Sequence, residues 1–333
     1  MHIFIDESGT FAIPAAGQTS PCIVGALIVP NYTIDRLFQK YERLRQHLPK
    51  EGDEVKGRRL NEAQVNSVIT LLRRNHCLFE AIVIEMGRES ATDIAEHQQK
   101  AAEALTANLT EKHHPELVAG VKKLKSRLEA MALPLYVQAA LMNVLLARII
   151  RELPAYWIQR QPKEILNFHW VVDGKGVDSE TSSENWWSTT KAGFLQSALA
   201  REPVIMLDWL DYAAFDNKYL MPMPDYLKET ILPYEHGYNL KLILEEDFRF
   251  NSGVDYGLEL ADIVTNTTRR ALKGNLGPEG WRQIPALMIA REQALHFCSL
   301  SKAVDSSHLP YRDVVMKAFR HGGRDMLTAA SRR

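Results

Sequence analysis

The chain of 333 residues contains only three cysteines, Cys22, Cys77 and Cys298, and they lie far apart in the sequence. No CxxC pair and no Cys/His spacing of a zinc site occurs, which argues against a disulfide-stapled fold and against a structural zinc centre. Few and unpaired cysteines are typical of proteins in a reducing compartment. We therefore expect a cytoplasmic protein.

An excess of charge of one sign is also missing. The 40 Lys and Arg residues nearly balance the 41 Asp and Glu residues, so the formal net charge is −1. A balanced chain can still bind nucleic acid, because binding needs only a local basic face. Short basic clusters do occur, for example Lys56 with Arg58 and Arg59, although any one of them can equally be a solvated helix face.

The sequence has no uninterrupted apolar run long enough to cross a membrane, and its first residues lack the basic and apolar regions of a signal peptide. The longest apolar stretch, Leu133–Leu153, is interrupted by Gln138, Asn143, Arg148 and Arg151. It predicts a buried helix, and we expect no membrane partner.

Apolar patterns along the chain alternate between strand and helix character. They predict strands at His2–Ile5, Pro21–Val29, Leu78–Met86, Ile165–Val172, Pro203–Trp209 and Leu240–Leu244. Helical spacing follows Thr33 and Asn61, fills most of residues 92–153, and returns at Ser183–Leu199 and Val254–Leu272. This order predicts a mixed α/β architecture with a central sheet.

The break in strand character after the third strand predicts a discontinuous core. We expect the core to comprise residues 1–88 and 161–275, with a large helical insertion at 89–160 and a C-terminal helical tail at 276–333. The insertion is also the segment through which we would expect a protein partner to bind.

Three acids occupy marked places in this pattern. Asp6 ends the first strand, Asp173 ends the strand after the insertion, and Asp262 lies among apolar residues of a late helix. Ligand sites of open α/β sheets gather at strand ends. If the two strands are parallel neighbours, Asp6 and Asp173 meet there, and the helix can add Asp262.

Several clustered carboxylates repel one another and resist burial, and a divalent cation relieves both costs. Oxygen ligands favour Mg²⁺ or Mn²⁺, ions that bind phosphates and support phosphodiester hydrolysis. The candidates for a fourth acid are Glu7, Glu54, Asp247 and Glu259. The competing interpretation is that these acids are ordinary turn residues, with Asp262 paired to Arg269. We expect Asp178, beyond the turn, to be dispensable for metal binding.

Four short motifs, in order, resemble the domain of unknown function 3800 family, which is grouped with the ribonuclease H-like fold. They are FIDESG (Phe4–Gly9), EVKG (Glu54–Gly57), a strand that ends at Asp173, and LELADIV (Leu258–Val264). The resemblance spans nearly the whole chain between Phe4 and Val264. One departure is Glu259, which stands where the family usually has Gln.

This resemblance implies a ribonuclease H-like mixed five-stranded sheet flanked by helices. It implies a metal site of Asp6, Asp173 and Asp262, with Glu7 or Glu54 as the fourth acid and Glu259 as a further potential ligand. Lys56 would contact a phosphate or orient Glu54. The function implied is a metal-dependent nuclease acting on DNA or RNA.

Two other functions stay open. A phosphatase of the haloacid dehalogenase type would use Asp6 as nucleophile, but Ser8 replaces the second acid of its D-x-D-x-T loop. A non-catalytic module that binds nucleic acid or protein could keep the same fold. A serine hydrolase using Ser8 has less support, since no G-x-S-x-G elbow surrounds that residue.

Overall fold

The structure is a computed structural model that describes residues 1–107, 109, 114–176, 179–223, 235–301 and 311–329. Its strands are β1 (His2–Ser8), β2 (Pro21–Val29), β3 (Lys50–Glu51), β4 (Glu54–Val55), β5 (Leu78–Glu85), β6 (His169–Asp173), β7 (Leu220–Pro222), β8 (His236–Tyr238), β9 (Phe248–Asn251) and β10 (His296–Cys298). Its helices are α1 (Ile34–Arg45), α2 (Glu62–Arg74), α3 (Ala91–Thr106), α4 (Pro115–Glu129), α5 (Leu133–Ile158), α6 (Ser182–Arg201), α7 (Ala213–Tyr219), α8 (Leu240–Glu245), α9 (Tyr256–Leu272), α10 (Pro278–Trp281) and α11 (Arg312–Gly322).

The fold is α/β, built on a mixed sheet of six strands in the order β10-β5-β2-β1-β6-β9. Strand β2 is antiparallel to both of its neighbours, β1 and β5. The other pairings, β1 with β6, β6 with β9 and β10 with β5, are parallel. The expected adjacency of the first strand and the strand that ends at Asp173 is confirmed.

Helices cover both faces of the sheet, because the central strands are apolar on both sides. In β1, Ile3 and Ile5 pack in the cluster that contains α5, whereas Phe4 packs in the cluster that contains α1, α2 and α9. The period-two alternation of a strand therefore places Asp6 on the α9 face and Glu7 on the α5 face.

The expectation of five strands was wrong by one. The two outer strands, Phe248–Asn251 and His296–Cys298, are three or four residues long and only partly buried. Such short edge strands carry too little alternation to be recognised from sequence. Two predicted strands are absent: Leu240–Leu244 is helical, because the Asn239 side chain caps α8, and Pro203–Trp209 forms no strand.

The predicted strand Ile165–Val172 also begins late. Residues Pro162–Leu166 form a 3-10 helix, and β6 starts at His169. The carbonyl of Leu166 accepts from the Tyr219 hydroxyl, and the carbonyl of Asn167 accepts from the N-terminal ammonium. These two carbonyls therefore accept hydrogen bonds from groups outside the sheet, and the strand begins only after them.

Residues 89–160 are mainly helical, as the pattern predicts, although 108 and 110–113 lie outside the described residues. The long helix α5 packs on β5, on β2 and on α6. Its length of 26 residues and mean hydropathy of 1.6 would suffice for a membrane span, yet half of its most apolar window is buried inside the protein. Part of the tail, 302–310 and 330–333, is likewise outside the described range. The domain boundaries stay a prediction.

Candidate metal centre

The parallel pairing of β1 with β6 brings two of the predicted acids together. The register pairs Ile5 with Val172, so the next residues along the two strands are Asp6 and Asp173. Carboxylate oxygens of Asp6, Glu7 and Asp173 all lie within 4.8 Å of one another. Asp6 does not end β1 as predicted, since β1 continues to Ser8 in its pairing with β2; Asp6 lies where the pairing of β1 with β6 ends. Asp173 does end β6, so the carboxylates gather at the end of the parallel pair.

The chain turns at Gly9, directly after the last residue of β1. Gly9 has φ +130°, and a Cβ there would lie 2.5 Å from the Cys22 Sγ, so a side chain is excluded by both conformation and space. The Ser8 hydroxyl accepts a hydrogen bond from Asn266 Nδ2 at 3.2 Å. The chain therefore leaves the sheet directly after Ser8 and is held there by α9.

Helix α9 carries the third predicted acid to the same end of the sheet. The backbone N–H of Gly57 donates to Asp262 Oδ2 at 2.7 Å. Gly57 lies so close to this helix that a Cβ would come within 2.9 Å of the Ile263 Cα. The EVKG and LELADIV motifs are therefore in direct contact, although about two hundred residues separate them in the chain.

Burial and mutual repulsion perturb the titration of these acids. Burial, followed by the charges of Glu7, Asp262 and Asp173, raises the pKa of Asp6 well above its usual value. Burial also raises the pKa of Glu7 and the pKa of Asp262. The ionised cluster is thus electrostatically unfavourable by itself, and a cation among the carboxylates would relieve the repulsion.

The donor set fits a hard divalent cation. It consists of carboxylate oxygens alone, which suits Mg²⁺ or Mn²⁺ better than a soft metal. Asp6, Glu7 and Asp173 are near enough to share one ion. Asp262 is not part of that compact group. Its charge nevertheless raises the pKa of Asp6, so Asp262 lies at the border of the cluster.

A lysine that sequence reasoning missed lies between two of these acids. Lys175 Nζ is 2.6 Å from Glu7 Oε1 and 2.5 Å from Asp173 Oδ2. Burial alone would lower the pKa of Lys175, but the two carboxylates raise it above its usual value. Lys175 lies in the glycine-flanked segment Gly174-Lys175-Gly176, whose composition by itself indicates no more than a turn. The informative signal was a basic residue two positions after a strand-ending acid.

Glu54 and Lys56 lie beside the cluster and pair with each other. Their side chains are 28% and 39% exposed. The charge of Lys56 lowers the pKa of Asp262 against the effect of burial. Lys56 therefore faces the acids, as the motif suggested, while the Glu54 carboxylate is turned to this lysine.

The structure does not bring Glu259 into the cluster. Its buried carboxylate accepts from Arg45 Nη2 at 2.5 Å, from the Tyr41 hydroxyl at 2.9 Å and from Val55 N at 3.1 Å. These bonds tie α1 and β4 to α9. Glu259 is three residues before Asp262, but a separation of three leaves two side chains about 60° apart around the helix, enough to reach different partners.

Asp247, another candidate for the fourth acid, lies at the other end of β6. It contacts His169 Nδ1 at 2.5 Å, and His169 is the first residue of that strand. Asp178 lies outside the described residues. Of the acids considered from sequence, Asp6, Glu7, Asp173 and Asp262 are therefore brought together.

The adjacent tryptophans Trp186 and Trp187 have a structural role. Trp187 is 3% exposed and donates from its indole N–H to Asn143 Oδ1 at 3.0 Å, and Trp186 is 1% exposed. This pair of tryptophans belongs to the core of the protein.

Compared with protein-family models, with curated proteins and with solved structures, the chain matches none of them.

Proposed function

We propose that this protein is a divalent-metal-dependent nuclease of ribonuclease H-like fold, similar to the domain of unknown function 3800 family. One observation carries the proposal: four motifs spread from Phe4 to Val264 converge at one end of the sheet. If the motifs formed only local turns and helix caps, nothing would require them to lie close together in the fold.

The arrangement of the acids supports the fold assignment as well. The resemblance implies one acid on the first strand, one on a parallel neighbour and one on a late helix. Asp6 on β1, Asp173 on β6 and Asp262 on α9 have this arrangement. The sixth strand, β10, adds to the far edge next to β5 and does not alter the neighbourhood of the acids.

In this proposal Asp6, Glu7 and Asp173 hold the ion, and Asp262 borders it. When bound, Mg²⁺ or Mn²⁺ would supply an activated water and neutralise charge that develops on the phosphate. Lys56, on the border of the cluster, contacts the phosphate of the substrate. Arg58, whose guanidinium pairs with Glu51 as Lys56 pairs with Glu54, is a second basic candidate for that contact.

Cleavage assays with purified protein test the proposal. The substrates are single- and double-stranded DNA, RNA and a hybrid, each with Mg²⁺, Mn²⁺ or a chelator. We expect hydrolysis only with metal, and a loss of at least about a hundredfold in Asp6→Asn and Asp173→Asn, since removing one metal ligand typically disables such a centre. Asp208→Asn is the control, because Asp208 is exposed and distant in sequence from every motif.

Cleavage that persists in chelator, or that survives both cluster substitutions, would refute the proposed site. Folding of each variant is checked by circular dichroism, so that a loss of activity can be distinguished from a loss of folding.

The second candidate, a non-catalytic binding module of the same fold, is favoured by the position of Lys175. An ammonium group that already bridges Glu7 and Asp173 lets the cluster persist without a metal. Calorimetric titration with Mn²⁺ separates the two functions. Absence of Mn²⁺ binding by the wild-type protein, together with absence of cleavage, would support the binding module.

A further inference from the structure

A second pocket lies at the opposite end of the sheet from the carboxylates. Its wall includes Tyr32, which follows the end of β2, and His76, which precedes β5. The end of β2 pairs with the start of β1, since His2 lies opposite Val29. The pocket and the acid cluster are thus separated by the length of β1. Its volume is about 680 Å³, which falls within the usual range for small-molecule sites.

Three arginines line this pocket, Arg73, Arg160 and Arg324, and its lining includes no Asp or Glu. Arg160 donates to the carbonyls of Tyr156 and Asp325, and Arg324 donates to those of Ala286 and His76. Carbonyl partners hold a guanidinium in place but do not neutralise its charge. Over the described part of the chain, none of the three forms an ion pair within 4.0 Å.

Two acids act on the pocket: the charge of Asp325 acts on Arg160, and that of Glu164 acts on Tyr32. Glu164 contributes to the raised pKa of Tyr32, after burial as the larger cause. Its carboxylate is occupied, because it lies 3.4 Å from the N-terminal ammonium and accepts from Asn31 N at 2.7 Å. Among the described residues, Asp325 thus offsets part of the charge of Arg160, while the charges of Arg73 and Arg324 are left for a ligand to balance.

The pocket also presents aromatic surface. Tyr32 is 51% exposed, and its ring centroid lies 6.3 Å from that of His76. The Arg160 guanidinium stacks over the Tyr156 ring at 3.8 Å. A half-exposed ring beside planar cations suits a ligand that has an aromatic system of its own.

The backbone at His76 is held in an unfavourable conformation. Cys77 N donates to Leu72 O and His76 N donates to Arg73 O, which together form the Schellman end of α2. His76 has φ +59° in the position that glycine usually occupies. A side chain in this conformation is strained, and such retained strain is concentrated at functional sites.

We propose that this pocket binds a nucleoside phosphate, with its phosphate at Arg73, Arg160 and Arg324 and its base against Tyr32. Arginine forks match phosphate oxygens, and tyrosine faces stack on bases. An apolar ligand would leave three cations unpaired. An inorganic anion would leave the aromatic wall and most of the volume unused.

Calorimetric titration in the presence of chelator tests the proposal, with adenosine 5′-monophosphate, adenosine and inorganic phosphate as probes. We expect the nucleotide to bind more tightly than either of its parts. Arg73→Gln should weaken nucleotide binding about tenfold, the loss of one charge-assisted hydrogen bond. The exposed Arg73 guanidinium donates to the Gln283 side chain, so the substitution should leave the fold intact.

Arg74→Gln is the matched control, because Arg74 is the exposed neighbour on the same helix and does not line the pocket. Tyr32→Leu should weaken nucleotide binding and leave the affinity for phosphate unchanged. Nucleotide binding no tighter than adenosine binding, or equal affinity in Arg73→Gln and Arg74→Gln, would overturn the proposal.

A further comparison identifies the source of the ligand. Tighter binding of a 5′-phosphorylated oligonucleotide than of the mononucleotide would assign the pocket to strand ends, and the reverse would assign it to free nucleotide. The site does not depend on the proposed nuclease function. Asp6→Asn should bind the nucleotide as the wild-type protein does, whether or not the acid cluster cleaves anything.

Discussion

Asp6→Asn should stabilise the metal-free protein while removing its response to metal. Burial and the charges of Glu7, Asp262 and Asp173 raise the pKa of Asp6 in the folded state. Asp6 therefore releases its proton at a lower pH in the unfolded chain than in the folded protein. As a result, the wild-type protein loses stability as the pH rises above about 4. Asparagine cannot ionise, so the variant avoids this loss. Its side-chain oxygen can still accept the hydrogen bond from Glu7 N.

The size of the effect follows from the distances in the cluster. Two unit charges 4.8 Å apart repel by about 3.5 kcal/mol at an effective dielectric constant of 20. Asp6 experiences this repulsion from Glu7 and from Asp173, and the ammonium of Lys175 offsets part of it. We therefore expect Asp6→Asn to raise the free energy of unfolding by about 1–3 kcal/mol at pH 7.5 in chelator.

Urea unfolding monitored by circular dichroism measures this difference between pH 3.5 and pH 8, with Asp208→Asn as the control. The difference should be smallest near pH 3.5, where Asp6 is protonated in both states, and should grow as the pH rises. Saturating Mn²⁺ should stabilise the wild-type protein by about 2.7 kcal/mol at a hundred times its dissociation constant, and should stabilise the variant much less. A destabilised variant at pH 8, or a difference independent of pH, would refute the electrostatic reasoning.

Two other substitutions probe the surroundings of the cluster. Lys175→Met removes the ammonium that competes for Glu7 and Asp173; it should lower metal-free stability by about 0.5–1 kcal/mol and tighten Mn²⁺ binding roughly fivefold in calorimetry. Weaker Mn²⁺ binding would show that Lys175 supports the ion instead. Glu259→Gln breaks a buried pair with Arg45 and should destabilise the protein by about 3 kcal/mol in urea unfolding, with Mn²⁺ affinity unchanged. Loss of Mn²⁺ affinity in the folded variant would instead show that Glu259 is a metal ligand.

The sequence predicted the parts of the fold in which local pattern and burial agree. The strands β1, β2 and β5 are long, apolar runs, and α9 carries apolar residues at helical spacing. The end of an apolar run located the strand end at Asp173, but not at Asp6, because pairing with β2 extends β1 to Ser8. The two edge strands could not be located, because pairing with a neighbour, and not composition, makes those residues extended.

The composition of the site was decided by tertiary structure. The sequence places Asp6 and Asp173 directly after apolar runs, but the parallel register of β1 with β6 brings their oxygens within 4.8 Å. It shows Glu259 and Asp262 on one helix, but Arg45 and Gly57, from distant segments, determine where each carboxylate goes. Lys175 reaches the acids because β6 ends beside β1. The sequence thus determines which charged groups each helix or strand carries. Long-range packing determines which of these charges become neighbours. Packing therefore decides the electrostatics of the site, because Coulomb energies depend on distance in space and not on separation along the chain.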